Sequence, residues 1–119
     1  MIVAKTRFPC KLVNPCNRRE HWRVVSKRGK EEKSFTGIML RSENIGPPPS
    51  LPLTVTITRI GAGRMDSDGL AASAKHIRDG VAAWVGVDDG DPRWTWLYAQ
   101  RSEGRGVFAV EVEVRDETR

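Results

Sequence analysis

A strand followed by a helix in the C-terminal half constrains the fold of this chain most. The stretch "LTVTITRI", from Leu53 to Ile60, alternates β-branched and other residues and predicts a strand with one buried face. From Gly69 to Trp84 the apolar residues recur three and four positions apart, which predicts an amphipathic helix whose apolar face packs on a sheet. The residues on that face are Leu70, Ala74, Ile77, Val81 and Trp84.

The rest of the chain supplies further elements of both kinds. An extended segment from Val3 to Val13 ends at "NPCN", and a long polar helix follows over residues 18–42. The likeliest inward residues of that helix are Trp22, Val25, Phe35 and Met39. Three consecutive prolines then require a loop, and a final hairpin is predicted from strands at Arg93–Gln100 and Val107–Arg115. We therefore predict one α+β (α/β) domain over residues 1–119, in the order β-α-β-α-β-β, with helices packed on a mixed sheet.

Composition excludes some classes of protein. No apolar run approaches the roughly 20 residues of a membrane-spanning helix, and the first residues are broken by charges and proline, unlike a signal peptide. We therefore expect a cytoplasmic protein without a membrane partner. Cys10 and Cys16 allow a disulfide by spacing, although free thiols are favoured in that compartment. A zinc site from these cysteines and His21 is disfavoured, because structural zinc usually takes four ligands.

Charge is divided unevenly along a chain whose net charge is +5. Residues 1–59 hold twelve basic and four acidic residues, whereas residues 66–91 hold six acidic and two basic residues. Clustered cations neutralise backbone phosphates, and clustered carboxylates hold metal ions. The pattern is suggestive of a metal-dependent nuclease, although a basic helical face is more often simply solvated. The candidate phosphate contacts are Arg18, Arg19, Arg23, Lys27 and Lys30.

The acidic residues form two groups with two possible roles. Asp66 and Asp68 follow a strand, and a second group at 88, 89 and 91 precedes the next strand. Aspartate at these places caps helices and forms turns. The alternative is a shared site for a divalent metal. A helix of about 16 residues spans roughly 24 Å, so the spacing alone does not bring the two groups together.

The order of these motifs resembles the RusA family of Holliday-junction resolvases, particularly its phage and prophage members. The resemblance rests on "MDSD" after a strand, "KHIRD" on the next helix and "GVDDGD" before the following strand. It extends to Asn14 after the first strand, followed by "HW" and a basic helix, and covers about residues 11–100.

The resemblance implies a small homodimer that binds branched DNA and cuts it with magnesium, in recombination or repair. Asp66, Asp68 and Asp89 match the metal-binding aspartates, and Lys75 matches a helix lysine that would stabilise the transition-state phosphate. Asn14 matches an asparagine that we assign to DNA binding.

The sequence also departs from the family pattern. Gly69 stands where the family usually has asparagine, and Lys75 lies seven residues beyond Asp68, about three more than is usual. Three function classes therefore stay open: a magnesium-dependent endonuclease, a DNA-binding module of the same fold without cleavage, and a protein-interaction domain whose charges confer solubility.

Overall fold

A computed structural model of the chain describes residues 1–15 and 20–117. Its elements follow the predicted order, with the second helical region divided in two. They are β1 (Ile2–Pro9), α1 (Trp22–Glu43), β2 (Leu53–Ile60), α2 (Ser67–Ser73), α3 (Lys75–Val85), β3 (Trp94–Arg101) and β4 (Ala109–Asp116). The predicted α+β class with helices on a mixed sheet is confirmed, and β2 has the predicted bounds.

The sheet has the strand order β1-β4-β2-β3. β2 and β3 run parallel, whereas β4 runs antiparallel to both β1 and β2. The predicted hairpin of the last two strands is therefore wrong, because β2 lies between them. The reason is burial: the three valines of β4, at 110, 112 and 114, are inaccessible to solvent and require a central strand. β3 keeps alternate residues exposed and lies at the edge.

The hydrophobic core lies between one face of the sheet and the helices. Residues paired between neighbouring strands form rows across this face. One such row contains one residue from each strand in sheet order: Thr6, Val112, Ile57 and Tyr98. The opposite face carries threonines and charged side chains, which suits a surface in contact with water. The side chains of β3 that point toward the helices are Trp94, Trp96, Tyr98 and Gln100.

The predicted helix over Gly69–Trp84 is interrupted at Ala74, whose backbone ψ of 3° ends α2 before α3 begins. The apolar face is nevertheless continuous, since all five residues predicted for it are buried. α3 ends at Gly86, which adopts the left-handed conformation (φ 86°) that glycine tolerates best.

The predicted inward face of α1 is wrong in part. Trp22 is 68% exposed and Phe35 is 45% exposed, whereas Val25 and Met39 are half-buried. Where α1 approaches α3 most closely, the buried residues of α1 are small, because large side chains would not fit between the two helices. The buried residues of α1 are Gly29, Glu32, Thr36, Gly37 and Leu40.

Two earlier expectations can be compared with the described residues. Within residues 1–15 and 20–117, no helix combines the length and the apolar character needed to cross a bilayer. Cys10 is a free thiol, and Cys16 lies outside the described residues.

Candidate functional site

The loop that carries the first acidic pair is fixed to the end of β3. The Gln100 side chain accepts a hydrogen bond from Met65 N (3.0 Å) and donates one to Met65 O (2.7 Å). Arg59 lies beneath the same loop and donates to Ala62 O (2.7 Å) and Gln100 Oε1 (3.3 Å). Four hydrogen bonds thus fix the position of the loop that leads into Asp66.

Asp66 has the capping role that the sequence left open. Its Oδ1 accepts a hydrogen bond from Gly69 N at 2.7 Å, so it is the N-cap of α2. Asp68 lies in the first turn of α2 and is exposed, with no hydrogen bond or ion pair to any other described residue. The cap leaves Asp66 Oδ2 and both carboxylate oxygens of Asp68 available to a ligand.

Asn14, predicted to bind DNA, lies beside Asp66 and Gly69. A Cβ atom built at Gly69 would stand 2.4 Å from Asn14 Nδ2 and 2.7 Å from Asp66 Oδ1. The amide of Asn14 therefore occupies the space that a side chain at position 69 would fill. Any larger residue at position 69 would have to displace Asn14.

The second acidic turn is fixed to the opposite half of β3 by two indole rings. Trp94 Nε1 donates to Asp88 O at 2.8 Å, and Trp96 Nε1 donates to Asp89 O at 3.1 Å. The rings stack with their centroids 4.7 Å apart, as expected for residues that share one face of a strand. Asp88 Oδ2 also accepts a hydrogen bond from Gly90 N, which is the turn-forming role proposed for these aspartates.

Arg78 connects the second acidic turn to the middle of β3. Its Nε donates to Asp89 Oδ2 at 2.8 Å, its Nη2 donates to Asp89 O at 3.1 Å, and its Nη1 donates to the Tyr98 hydroxyl at 3.1 Å. The guanidinium also lies 4.7 Å from the centre of the Trp96 ring. Burial opposes the charge on Arg78, but the hydrogen bonds to Tyr98 and Asp89 outweigh it and raise the pKa. Arg78 therefore stays charged.

Both acidic turns therefore contact one row of β3 side chains. The anchor points Trp96 and Gln100 are four residues apart, which is about 13 Å along a strand. Tyr98 lies between them, bonded to Arg78 on one side and lining a cleft with Asp66 on the other. The two turns flank the same residue without meeting.

The predicted metal ligands are therefore not assembled into one group. Among the described residues, no three Asp, Glu, His or Cys side chains lie close enough together to hold one ion. Asp89 uses one oxygen for Arg78, and Asp66 uses one for the cap. Magnesium takes only one or two carboxylates together with water and phosphate oxygens. The carboxylates of Asp66 and Asp68 therefore suit that ion chemically.

Lys75 is not brought to the acidic residues by any described contact. It begins α3, is exposed, and has no described hydrogen bond or ion pair. Asp79, one turn further on, lies 3.8 Å from His76 Nδ1 rather than pairing with the lysine. The role assigned to Lys75 stays a prediction.

The candidate phosphate contacts of α1 that the structure describes lie on one exposed side. Arg23, Lys27 and Lys30 are spaced four and three residues apart. Arg23 stacks on Trp22, and Lys27 lies 3.9 Å from Glu31, a distance typical of a weak surface pair. Arg18 and Arg19 lie outside the described residues.

Sequence reasoning missed Arg78, Tyr98 and Gln100 as residues that organise the site. The alternation in "WTWLYAQ" does place both tryptophans, the tyrosine and the glutamine on one face. It did not reveal that the face would lie under the acidic turns, because the parallel pairing of β2 with β3 was not predicted.

In sequence comparisons the chain matches no known protein family and no characterised protein. The resemblance to the RusA resolvases therefore rests on the order of the motifs quoted above.

Proposed function

We propose that the protein is a magnesium-dependent, structure-selective endodeoxyribonuclease of the RusA type, which cuts Holliday junctions or other branched DNA. The observation that carries the proposal is the attachment of both acidic turns to one strand, on either side of Tyr98. Aspartates that only cap a helix and form a turn would not need to be attached to the same strand. The proposal includes action in the cytoplasm, where such DNA intermediates of a bacterium or phage are processed.

The carboxylates supply the donor atoms for magnesium. Asp66 and Asp68 would hold one ion, and Asp89, on the far side of Tyr98, would hold a second one together with water and phosphate oxygens. When bound, magnesium activates water and neutralises charge on phosphate oxygens. Asn14 lies beside the Asp66 cap, where its amide would contact the DNA. Lys75 would contact the phosphate if DNA approaches along the start of α3.

The basic residues of α1 would hold the DNA backbone. Arg23, Lys27 and Lys30 form an exposed row that suits phosphate contacts independent of sequence. A four-way junction has two equivalent strands to cut, and a twofold homodimer presents two identical sites to them. The proposal therefore includes a homodimer.

A second candidate function is a junction-binding module that does not cut. It is favoured by the use of one oxygen each of Asp66 and Asp89 inside the protein, and by the position of Lys75. Both candidates require salt-dependent DNA binding, whereas a protein-interaction domain does not.

Cleavage of a labelled four-way junction, beside a linear duplex of the same sequence, tests the proposal. The wild type, Asp68→Asn and the control Glu113→Gln are compared with magnesium and with EDTA. Glu113 lies on the opposite face of the sheet, so its variant loses one charge away from the site. We expect magnesium-dependent cutting of the junction alone, lowered at least about 100-fold in Asp68→Asn and unchanged in the control.

Each other outcome selects a different function. Junction binding without cutting in magnesium or manganese supports the binding module. Equal cutting by wild type and Asp68→Asn excludes the proposed metal site. Absence of both binding and cutting leaves the aspartates as caps and turns.

A further inference from the structure

A cleft beside Asp66 has the chemistry of a phosphate site. It has a volume of about 480 Å³ and lies between the 61–66 loop, the start of α2 and the second half of β3. Its polar lining residues are Arg64, Asp66, Ser67, Tyr98 and Gln100. The cleft therefore combines a cation, hydroxyl groups and one of the proposed metal-binding carboxylates.

The Tyr98 hydroxyl is oriented to donate a hydrogen bond. Its oxygen accepts the Arg78 Nη1 proton at 3.1 Å, which directs the lone pair of the hydroxyl toward Arg78. Among the described residues, no oxygen or nitrogen accepts the hydroxyl proton in return. The bond from a charged guanidinium polarises the O–H group and makes it a stronger donor.

Positive charge lies on the loop side of the cleft. Arg64 is exposed at its rim. Arg59 is buried beneath the loop, and its described hydrogen bonds go to carbonyl and amide oxygens rather than to a carboxylate. A buried cation without a counterion attracts an anion to the nearest accessible surface.

We propose that this cleft binds one backbone phosphate of the DNA strand, next to the phosphate that is cut. Tyr98 donates its hydroxyl proton to a non-bridging phosphate oxygen, and Arg64 neutralises the phosphate charge. Arg78 is a positioning residue, because it fixes both the Tyr98 hydroxyl and the Asp89 turn. The inference rests on the proposed function and adds the residues that hold the strand at Asp66.

Junction binding without cleavage tests the subsite. Fluorescence anisotropy in calcium, over a series of salt concentrations, compares the full-length wild type, Tyr98→Phe, Arg64→Gln and Arg115→Gln. Arg115 is the control, since it is exposed at the other end of the sheet and its variant has the same net charge as Arg64→Gln. We expect Arg64→Gln to lower the slope of log K against log salt by about one, and Arg115→Gln to leave it unchanged.

Tyr98→Phe keeps the ring and removes only the hydroxyl. We expect about 10- to 100-fold weaker junction binding, because a hydrogen bond to a charged phosphate is lost. Single-turnover cutting of bound junction separates this role from a structural one. A phosphate contact leaves the magnesium concentration for half-maximal cutting unchanged, whereas a loosened Asp89 turn raises it and overturns the assignment of Tyr98.

Failure of the inference differs from failure of the proposed function. If the wild type cuts junctions and both cleft variants bind like Arg115→Gln, the subsite is wrong and the nuclease stands. If the wild type binds without cutting and the cleft variants bind more weakly, the subsite stands and cleavage fails. Absence of junction binding by the wild type overturns both.

Discussion

At the scale of single residues, Gly69 is the position where the site is most tightly packed. A Cβ atom there would be 2.4 Å from Asn14 Nδ2. We expect Gly69→Ala to lower the free energy of unfolding by about 1–3 kcal/mol, the usual cost of overpacking. Urea unfolding of Gly69→Ala, Asn14→Ala and the double variant measures this. If the clash with Asn14 is the cause, the double variant loses less stability than the two single losses combined; additive losses contradict it.

Glu32 is a buried carboxyl outside the proposed site, and it predicts a pH effect. Burial raises the pKa of Glu32, partly offset by the Cys10 thiol, which donates to its Oε2 at 3.7 Å, and by the charge of Arg28. Burial and the Glu32 charge in turn raise the pKa of Cys10 to about 12, so the thiol is protonated at neutral pH.

The sign of the Glu32 effect follows from its raised pKa. Stability linked to this group is complete below its unfolded-state pKa and is lost as pH rises through the folded-state value. Glu32→Gln has no charge to bury, so it should gain stability relative to wild type as pH rises from 4 to 8. Urea unfolding over that range tests this against Glu31→Gln, an exposed neighbour. Parallel curves for wild type and Glu32→Gln contradict the prediction.

At the scale of elements, the contact between α1 and α3 depends on glycine. A Cβ atom at Gly80 would lie 2.6 Å from the backbone oxygen of Lys33 and 2.9 Å from Thr36 Cβ. The atoms nearest to a Cβ built at Gly29 all belong to the His76 imidazole, a side chain that is 41% exposed and can shift at the cost of a weak contact with Asp79. The Lys33 backbone opposite Gly80 cannot move aside in this way. A side chain is therefore tolerated less well at Gly80 than at Gly29.

This difference predicts opposite outcomes for two matched substitutions. Gly80→Ala should lower the free energy of unfolding by about 1–3 kcal/mol. Gly29→Ala should change it by less than about 1 kcal/mol, because the better helix propensity of alanine offsets the shift of His76. Chemical unfolding compares the midpoints. Equal losses in both variants would show that the close approach is not what requires Gly80.

Local sequence patterns predicted the helices and strands themselves better than they predicted which elements lie next to each other in the fold. β2 and the apolar face of α2 and α3 follow from spacing, because each pattern reports burial on one side of a single element. The inward side of α1 does not follow from spacing. Its close packing against Gly80 leaves room only for small residues, so Trp22 and Phe35 lie on the exposed side. Pairing of β4 with β1 and β2 depends on contacts far apart in sequence, which periodicity does not record.

At the scale of the whole molecule, the same limit applies to the candidate site. The acidic turns were visible in the sequence, and so was the row of side chains on β3. Their contact was not, because it requires β3 to lie parallel to β2 at the sheet edge, with Arg78 above Trp96. The sequence thus identified the acidic residues and the β3 side chains as candidates, whereas only the sheet topology showed that they contact one another.

A network of charges joins the sheet from edge to edge on the face away from the helices. Arg7 on β1 and Arg101 on β3 both bond Glu103, which follows β3, and Glu111 on the central strand β4. The hydrogen bond from Arg7, then that from Arg101, lowers the pKa of Glu103 to about 2. The pKa of Glu111 is lowered in the same direction, chiefly by Arg101. All four side chains touch solvent, so salt screens the network.

A lowered carboxyl pKa gives stability that is present above the unfolded-state value near 4.5 and is lost as pH falls toward 2. Wild type should therefore unfold at a higher temperature than Glu103→Gln at pH 7, and most of the difference should be lost by pH 2. High salt at pH 7 should reduce the same difference, because the pairs are exposed. Thermal unfolding from pH 2 to 7 measures it, with the exposed Glu117→Gln as the control. A difference that persists unchanged at pH 2 would mean that Glu103 stabilises the sheet through packing of its side chain, since most of the charge-linked stability is lost by that pH.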